Sequence, residues 1–399
     1  VTATGGTRGL VISGTYTRVA VTGNINITTS STLGSAMWMY GASQLTSSAG
    51  TLTINATASG SGTYGLYLDA SSQILGYGLV DITTASTSSS SIYLETSSVI
   101  RSTGASGSLT INATSTSGYT IESYNNSQIT SVGDMSITAT SSSNWAIVMR
   151  AGSTWQSSAG ALGITATSSS TYGGIFMAGT AQLLSSGDLN LYAYSNPSSS
   201  GYGLRMDGSS AVIKSSSGSV LLNLVGQKAF SWYNSTNLIQ AYNNLTINGV
   251  DTGGSYVDYA STCSSTCGLV SDNGDITWKT ISNNASGWNQ YAGYLRFPII
   301  ANGTAAGKGN VTIVGVGKTG GLSLDNSYGY IQAQGNIDVV GYGGAGNHGV
   351  IITVAGPSLT NTAGGVIRSV SGNVTISGYS ANSVGVFLYD DAVNIVATA

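Results

Sequence analysis

The sequence predicts an all-β chain wound as a parallel β-helix, and two regularities carry that prediction. The first is a phrase that recurs at a nearly fixed interval: Leu52-Thr53-Ile54-Asn55-Ala56-Thr57, Leu109-Thr110-Ile111-Asn112-Ala113-Thr114, Met135-Ser136-Ile137-Thr138-Ala139-Thr140 and Leu162-Gly163-Ile164-Thr165-Ala166-Thr167. Anchored on its second apolar residue, the series runs Ile27, Ile54, Ile82, Ile111, Ile137, Ile164, Leu191, Leu222 and Ile247, in steps of 27, 28, 29, 26, 27, 27, 31 and 25 residues. A period of this length marks stacked units, each too small to bury its own apolar face.

The second regularity is alternation. Two further segments keep register with the first. One reads Met37-Trp38-Met39, Leu66-Tyr67-Leu68, Ile92-Tyr93-Leu94, Ile147-Val148-Met149, Ile175-Phe176-Met177 and Leu204-Arg205-Met206. The other is centred on Leu45, Ile74, Ile100, Ile129, Trp155, Leu183 and Ile213. In every segment apolar residues stand two apart with a variable residue between them, the period of a strand. Three short strands per coil of about 27 residues, joined by Gly, Ser and Thr turns, are the expectation, and no window offers the ten or more residues of 3.6 periodicity that a helix needs.

Composition agrees with an elongated stacked core. Only 7% of the 399 residues are charged, against about 25% in an ordinary globular domain, while 41% are hydrophobic and 56 are Gly. Solubility is therefore expected to rest on hydroxyls and amides. A net charge of -3 gives no basic footprint for nucleic acid or an anionic membrane. No apolar run reaches the roughly 18 residues of a membrane span, and no leader is apparent, so the chain reads as a processed or excised piece of a secreted protein.

Regular coils are expected over residues 1–249. Residues 250–300 carry both cysteines and a bulky set, Trp278, Trp288, Tyr291, Tyr294 and Phe297, and read as irregular coils or an insertion. The phrase then returns around Val311, Ile337 and Val374, placing 301–399 in the same solenoid. Cys263 and Cys267 enclose three residues, a spacing suited to a small local disulfide in an extracellular chain. Zinc would need about four ligands, and the single histidine, His348, is far away in sequence, so no metal or other cofactor is expected.

Chemistry is sparse. Stacking the second strands sets Asp69 beside Glu95, the best carboxylate pair for cleaving a glycosidic bond. The rest of that column, Tyr40, Tyr124, Arg150, Ala178 and Asp207, reads as an exposed turn, and Asp272 with Asp275 and Asp390 with Asp391 read as turn formers. The chain is thus not expected to be an enzyme. Trp38, Tyr67 and Tyr93 stack into an outward aromatic ladder, either a side-chain ladder that stabilises the sheet or a glycan-contact face. Asn-X-Ser/Thr triplets recur, with Asn55, Asn112, Asn234, Asn244 and Asn302 as candidate glycosylation sites, although the repeat itself generates such triplets.

The phrase Gly50-Thr51-Leu52-Thr53-Ile54-Asn55-Ala56 and the Gly-Asn-Val-Thr-Ile phrases at Gly309 and Gly372 resemble the repeats of the filamentous haemagglutinin family of bacterial exoproteins, exported by two-partner secretion, and of related autotransporter passengers. The resemblance implies a right-handed parallel β-helix that works as an adhesin, a biofilm matrix component or a stalk, and it carries over no catalytic residue. The expectation is an extracellular structural or adhesive rod, secreted to a cell surface or matrix. Its partners would be copies of itself, joined head to tail or laterally, and surface glycans, with no nucleic acid and no membrane insertion by this segment. The rival is a polysaccharide-binding or polysaccharide-processing β-helix of tailspike or lyase type.

Overall fold

The computed structural model describes residues 1–196, 200–233, 236–252, 267–283, 291–325, 330–344, 346–353, 367–389, 393 and 395–398. The described residues form strands joined by turns and contain no helix. They divide into two compact units, Val1–Ser195 and Asn196–Ala399. Each is a parallel β-solenoid.

In the first unit every coil places one strand in each of three sheets. The recurring phrase is the seven-residue strand of the first sheet, as in Leu52–Ala58, Val80–Ser86, Leu109–Ser115 and Met135–Ser141. Pairing is in register throughout: Ile27 meets Ile54, then Ile82, Ile111, Ile137, Ile164 and Leu191. The second and third sheets keep the same discipline, with Leu66 against Ile92 and Ile74 against Ile100. Alternate residues point inward, so each aliphatic column is buried, and each such side chain contributes about 1.5–3 kcal/mol.

Backbone hydrogen bonds run from coil to coil, which leaves the corners as the weak points. Serines fill them. After the first strand, Ser31 Oγ donates to Gly6 O at 3.1 Å while accepting from Gly34 N at 3.1 Å. Ser115 repeats the arrangement with Ser89 O and Gly118 N, and Ser141 with Gly118 O and Asn144 N. After the third strand, Ser47 and Ser157 do the same for Gly23 O with Gly50 N and for Gly133 O with Gly160 N. These serines are buried. Much of the hydroxyl content expected to serve solubility instead satisfies interior backbone groups, because a corner carbonyl without a donor would cost about 1–3 kcal/mol.

Between the second and third strands the chain turns through the left-handed region at successive non-glycine residues: Ala70 and Ser71, Thr96 and Ser97, Asn125 and Asn126. Asparagine tolerates this conformation, whereas the β-branched Thr96 is strained in it. Bonds between the turns hold them in place, with Ser71 N donating to Thr96 O at 2.8 Å and Ser97 N to Asn125 O at 2.9 Å.

In the second unit two parallel sheets run through residues 267–283 and 291–301. Leu245–Asp251 pairs with Ile276–Ser282, which pairs with Val311–Gly317. The second position is held by Tyr202–Asp207 and Lys228–Trp232, and later by Tyr291–Leu295, Gly320–Asp325, Val350–Thr353 and Val386–Tyr389. Of the bulky residues of this stretch, Trp278 and Phe297 go inside, Tyr291 and Tyr294 are half-buried, and Trp288 lies outside the described residues. Trp278 takes the column position of Ile247 and Ile313, and Phe297 stacks on Trp232 at 4.8 Å and on Trp278 at 5.6 Å.

Asp251 stands in the corner column, paired with Gly226 and Ser282, where other coils use serine. Its carboxyl accepts from Ala229 N, and burial pushes its pKa up from 3.8 to about 8. A raised folded pKa means stability is full below the unfolded value and lost as pH rises through the folded one. The melting temperature of the wild-type chain should therefore fall between about pH 4 and pH 8 relative to that of Asp251→Asn, and parallel curves for the two would refute the assignment. In the first unit, Ile137→Asp puts a charge in a column that is 1% exposed. It should destabilise by at least about 3 kcal/mol and open new cleavage sites in limited proteolysis, an effect absent if Ile137 were outward.

Candidate functional site

The outer faces of the first unit differ in chemistry. Outside the first sheet stand Thr53, Asn55, Thr57, Thr110, Asn112, Thr114, Thr138 and Thr140, with Asp81 as the charge among the neighbouring outward positions. The outer face of the second sheet is aromatic and charged.

That sheet brings the expected ladder together. Trp38 pairs with Tyr67, Tyr67 with Tyr93 and Tyr93 with Glu122. Tyr67 and Tyr93 lie parallel, 5.2 Å apart with 4° between planes, and Trp38 meets Tyr67 edge to face at 5.6 Å. A parallel stack turns the ring faces toward each other, which favours the sheet-stabilising role of these two residues over a flat sugar platform. Trp38 is different: the Arg8 guanidinium carbon lies 3.2 Å from its ring centroid, a cation–π contact, and its Nε1 is buried without a hydrogen-bond partner.

Residues outside the strand triplets enlarge the cluster. Tyr64 packs on Tyr67 at 5.1 Å and on Tyr93 at 5.2 Å, Tyr124 lies 5.8 Å from Tyr93, and Trp145 lies 5.3 Å from Phe176. Tyr64, Tyr119 and Trp145 each precede a second-strand centre by three residues, a constant offset legible in the sequence but not used. A groove of about 650 Å³ opens beside Trp38, lined by Thr7, Arg8, Ser35, Trp38, Tyr64 and Tyr67 among others.

Carboxylates sit among these rings. Register places Asp69 and Glu95 after the paired Leu68 and Leu94, in neighbouring coils as expected. Tyr67 Oη approaches Asp69 Oδ2 at 3.5 Å, a long contact. Burial first, then Asp69 and Glu95, pushes the Tyr67 hydroxyl up to about 12, so it remains a donor at neutral pH. Glu122, which continues the ladder column beside Tyr93, is only 6% exposed. Ser90 Oγ donates to its Oε2 and Tyr124 Oη to its Oε1, the latter at 3.0 Å. Burial raises the Glu122 pKa, opposed by those two hydrogen bonds and by Arg150. Arg150 in turn lies 5.4 Å from the Tyr124 ring and 5.2 Å from Phe176.

The remaining candidates are scattered. Cys267 is buried, and Cys263, the other half of the expected disulfide, lies outside the described residues, as do Asn234, Asp390 and Asp391. Asn55 and Asn112 are exposed on the first-sheet face, and Asn302 is half-buried. Asn244 is exposed but structural in part, its Oδ1 accepting from Asp275 N at 3.1 Å. It opens a ladder in which Asp275 Oδ1 accepts from Asn310 N, Asn310 Oδ1 from Asn336 N and Asn336 Oδ1 from Asn373 N. Asp272 accepts from Gln240 Nε2 at 2.8 Å, so both acids of the Asp272 and Asp275 pair are turn-linking groups. Among the described residues no three His, Cys, Asp or Glu gather to hold a metal, and no helix is long and apolar enough to cross a membrane.

No protein-family model, curated protein or solved structure matches the chain. Its repeats and its parallel pairing alone make it a β-solenoid. If Glu122 is held as a buried acceptor, Ser90→Ala should cost about 1–3 kcal/mol at neutral pH. Because the Ser90 hydrogen bond favours the ionised carboxylate against burial, urea unfolding across a pH series should show this loss shrinking as pH falls; a loss that stays constant with pH would contradict it.

Proposed function

We propose that the chain is a non-catalytic structural or adhesive solenoid, secreted to form part or the protomer of a cell-surface or matrix fibre, of the kind its haemagglutinin-like and autotransporter-like repeats suggest. One observation carries the reading. In the first unit the interior is given over to packing and corner hydrogen bonds, while a single lateral face collects Trp38, Tyr64, Tyr67, Tyr93, Glu122 and Arg150 over successive coils. That division suits a rigid support that makes contact along one side. Exposed strand edges at the ends of a solenoid favour continuation by another chain, and a contact that does not close on itself gives an open fibre.

The polysaccharide-processing reading draws on the sequence of acids Asp69, Glu95 and Glu122 in adjacent coils. Glu122 is enclosed by donors rather than open to a substrate, which counts against it as a general acid. Electron microscopy of the purified chain across a concentration series tests the main reading. Long uniform fibres with a regular axial repeat are expected for a protomer and discrete particles that bind a surface for a segment. Depolymerisation of an acidic polysaccharide, lost in Glu122→Gln, would replace it with the enzymatic reading.

A further inference from the structure

The groove beside Trp38 holds a cation with no counter-ion. Arg8 makes no hydrogen bond or ion pair among the described residues, its recorded partner being the Trp38 ring. Beneath it the Trp38 Nε1 proton is buried and unpartnered, a state that costs about 1–3 kcal/mol. Arg8 and the Trp38 ring line a volume, about 650 Å³, that lies in the range of small-molecule sites. Tyr64 and Tyr67 share the lining, Tyr67 packed edge to face on Trp38, with the Asp69 carboxylate near the Tyr67 hydroxyl.

We infer that this groove binds an acidic saccharide, a sugar ring bearing a single carboxylate, with Arg8 gripping the carboxylate and the aromatic wall taking the apolar side of the ring. The planar guanidinium fork matches a carboxylate in two parallel hydrogen bonds. Stacking on Trp38 orients that fork and leaves its N–H edge available. The inference gives a ligand to the adhesive reading above and rests on it only for its biological use.

Isothermal titration of the full chain tests it with trigalacturonate, a neutral galactose trimer and sodium acetate. The acidic trimer should bind, and Arg8→Gln should weaken it by about tenfold or more, while Arg8→Lys should restore part of the loss. Tyr64→Ala should weaken the acidic trimer without creating a preference for acetate. Arg101→Gln, on the third-sheet face, should leave binding unchanged, with thermal melts showing that each variant is folded. Equal binding of the neutral trimer would overturn the role of Arg8, and equal binding of acetate would reduce the site to one for free carboxylate. Absence of binding by the folded wild-type chain would overturn the site altogether while leaving fibre formation untouched.

Discussion

Everything in this molecule depends on in-register stacking of parallel coils. When each strand pairs with its counterpart one coil away, every residue meets its own equivalent above and below. A column then succeeds or fails as a whole, and the isoleucine column through Ile54, Ile82, Ile111 and Ile137 succeeds because identical branched side chains stack on one another out of water. The same rule makes corners demanding, since hydrogen bonds directed along the stack cannot serve a chain that is changing direction. Serine meets that demand by donating to the coil before and accepting from its own turn, as Ser31, Ser115 and Ser141 do.

The rule also explains where chemistry can reside. Inward positions are spent on packing and corner positions on backbone, which leaves outward columns to vary. On the second sheet that freedom is used for rings, and in-register stacking turns Tyr67 and Tyr93 into a self-satisfied pair. Trp38 escapes because Arg8, arriving from the neighbouring coil, takes its face. Exceptions inside the stack have identifiable consequences: Asp251, a carboxyl in a serine position, ties the stability of its coil to pH, and Trp278, in an isoleucine position, is accommodated by the rings of Phe230 and Phe297.

Repeat length, strand number per coil and the pairing of Ile27 through Leu191 were all readable from the chain, because a stacked fold copies its contacts into sequence periodicity. So were the ladder of Trp38, Tyr67 and Tyr93 and the placing of Asp69 beside Glu95, since both follow from register alone. Residues in turns escaped that logic. Tyr64 and Tyr124 hold repeat positions, but their contacts with the ladder, the arrival of Arg8 over Trp38 and the burial of Glu122 under Ser90 and Tyr124 depend on the path of the turns, which no period encodes.

By itself, then, the sequence determined the coil: which residues face inward, which strands pair and in what register, because alternation and period leave one arrangement that buries every apolar column. Only the tertiary structure decided the surface. Whether an outward ring is stacked or open, whether a carboxylate is solvated or enclosed, and whether a serine serves solvent or a corner carbonyl depend on side chains from neighbouring coils meeting across turns. Those meetings are set by three-dimensional closure of the coil rather than by position in the repeat.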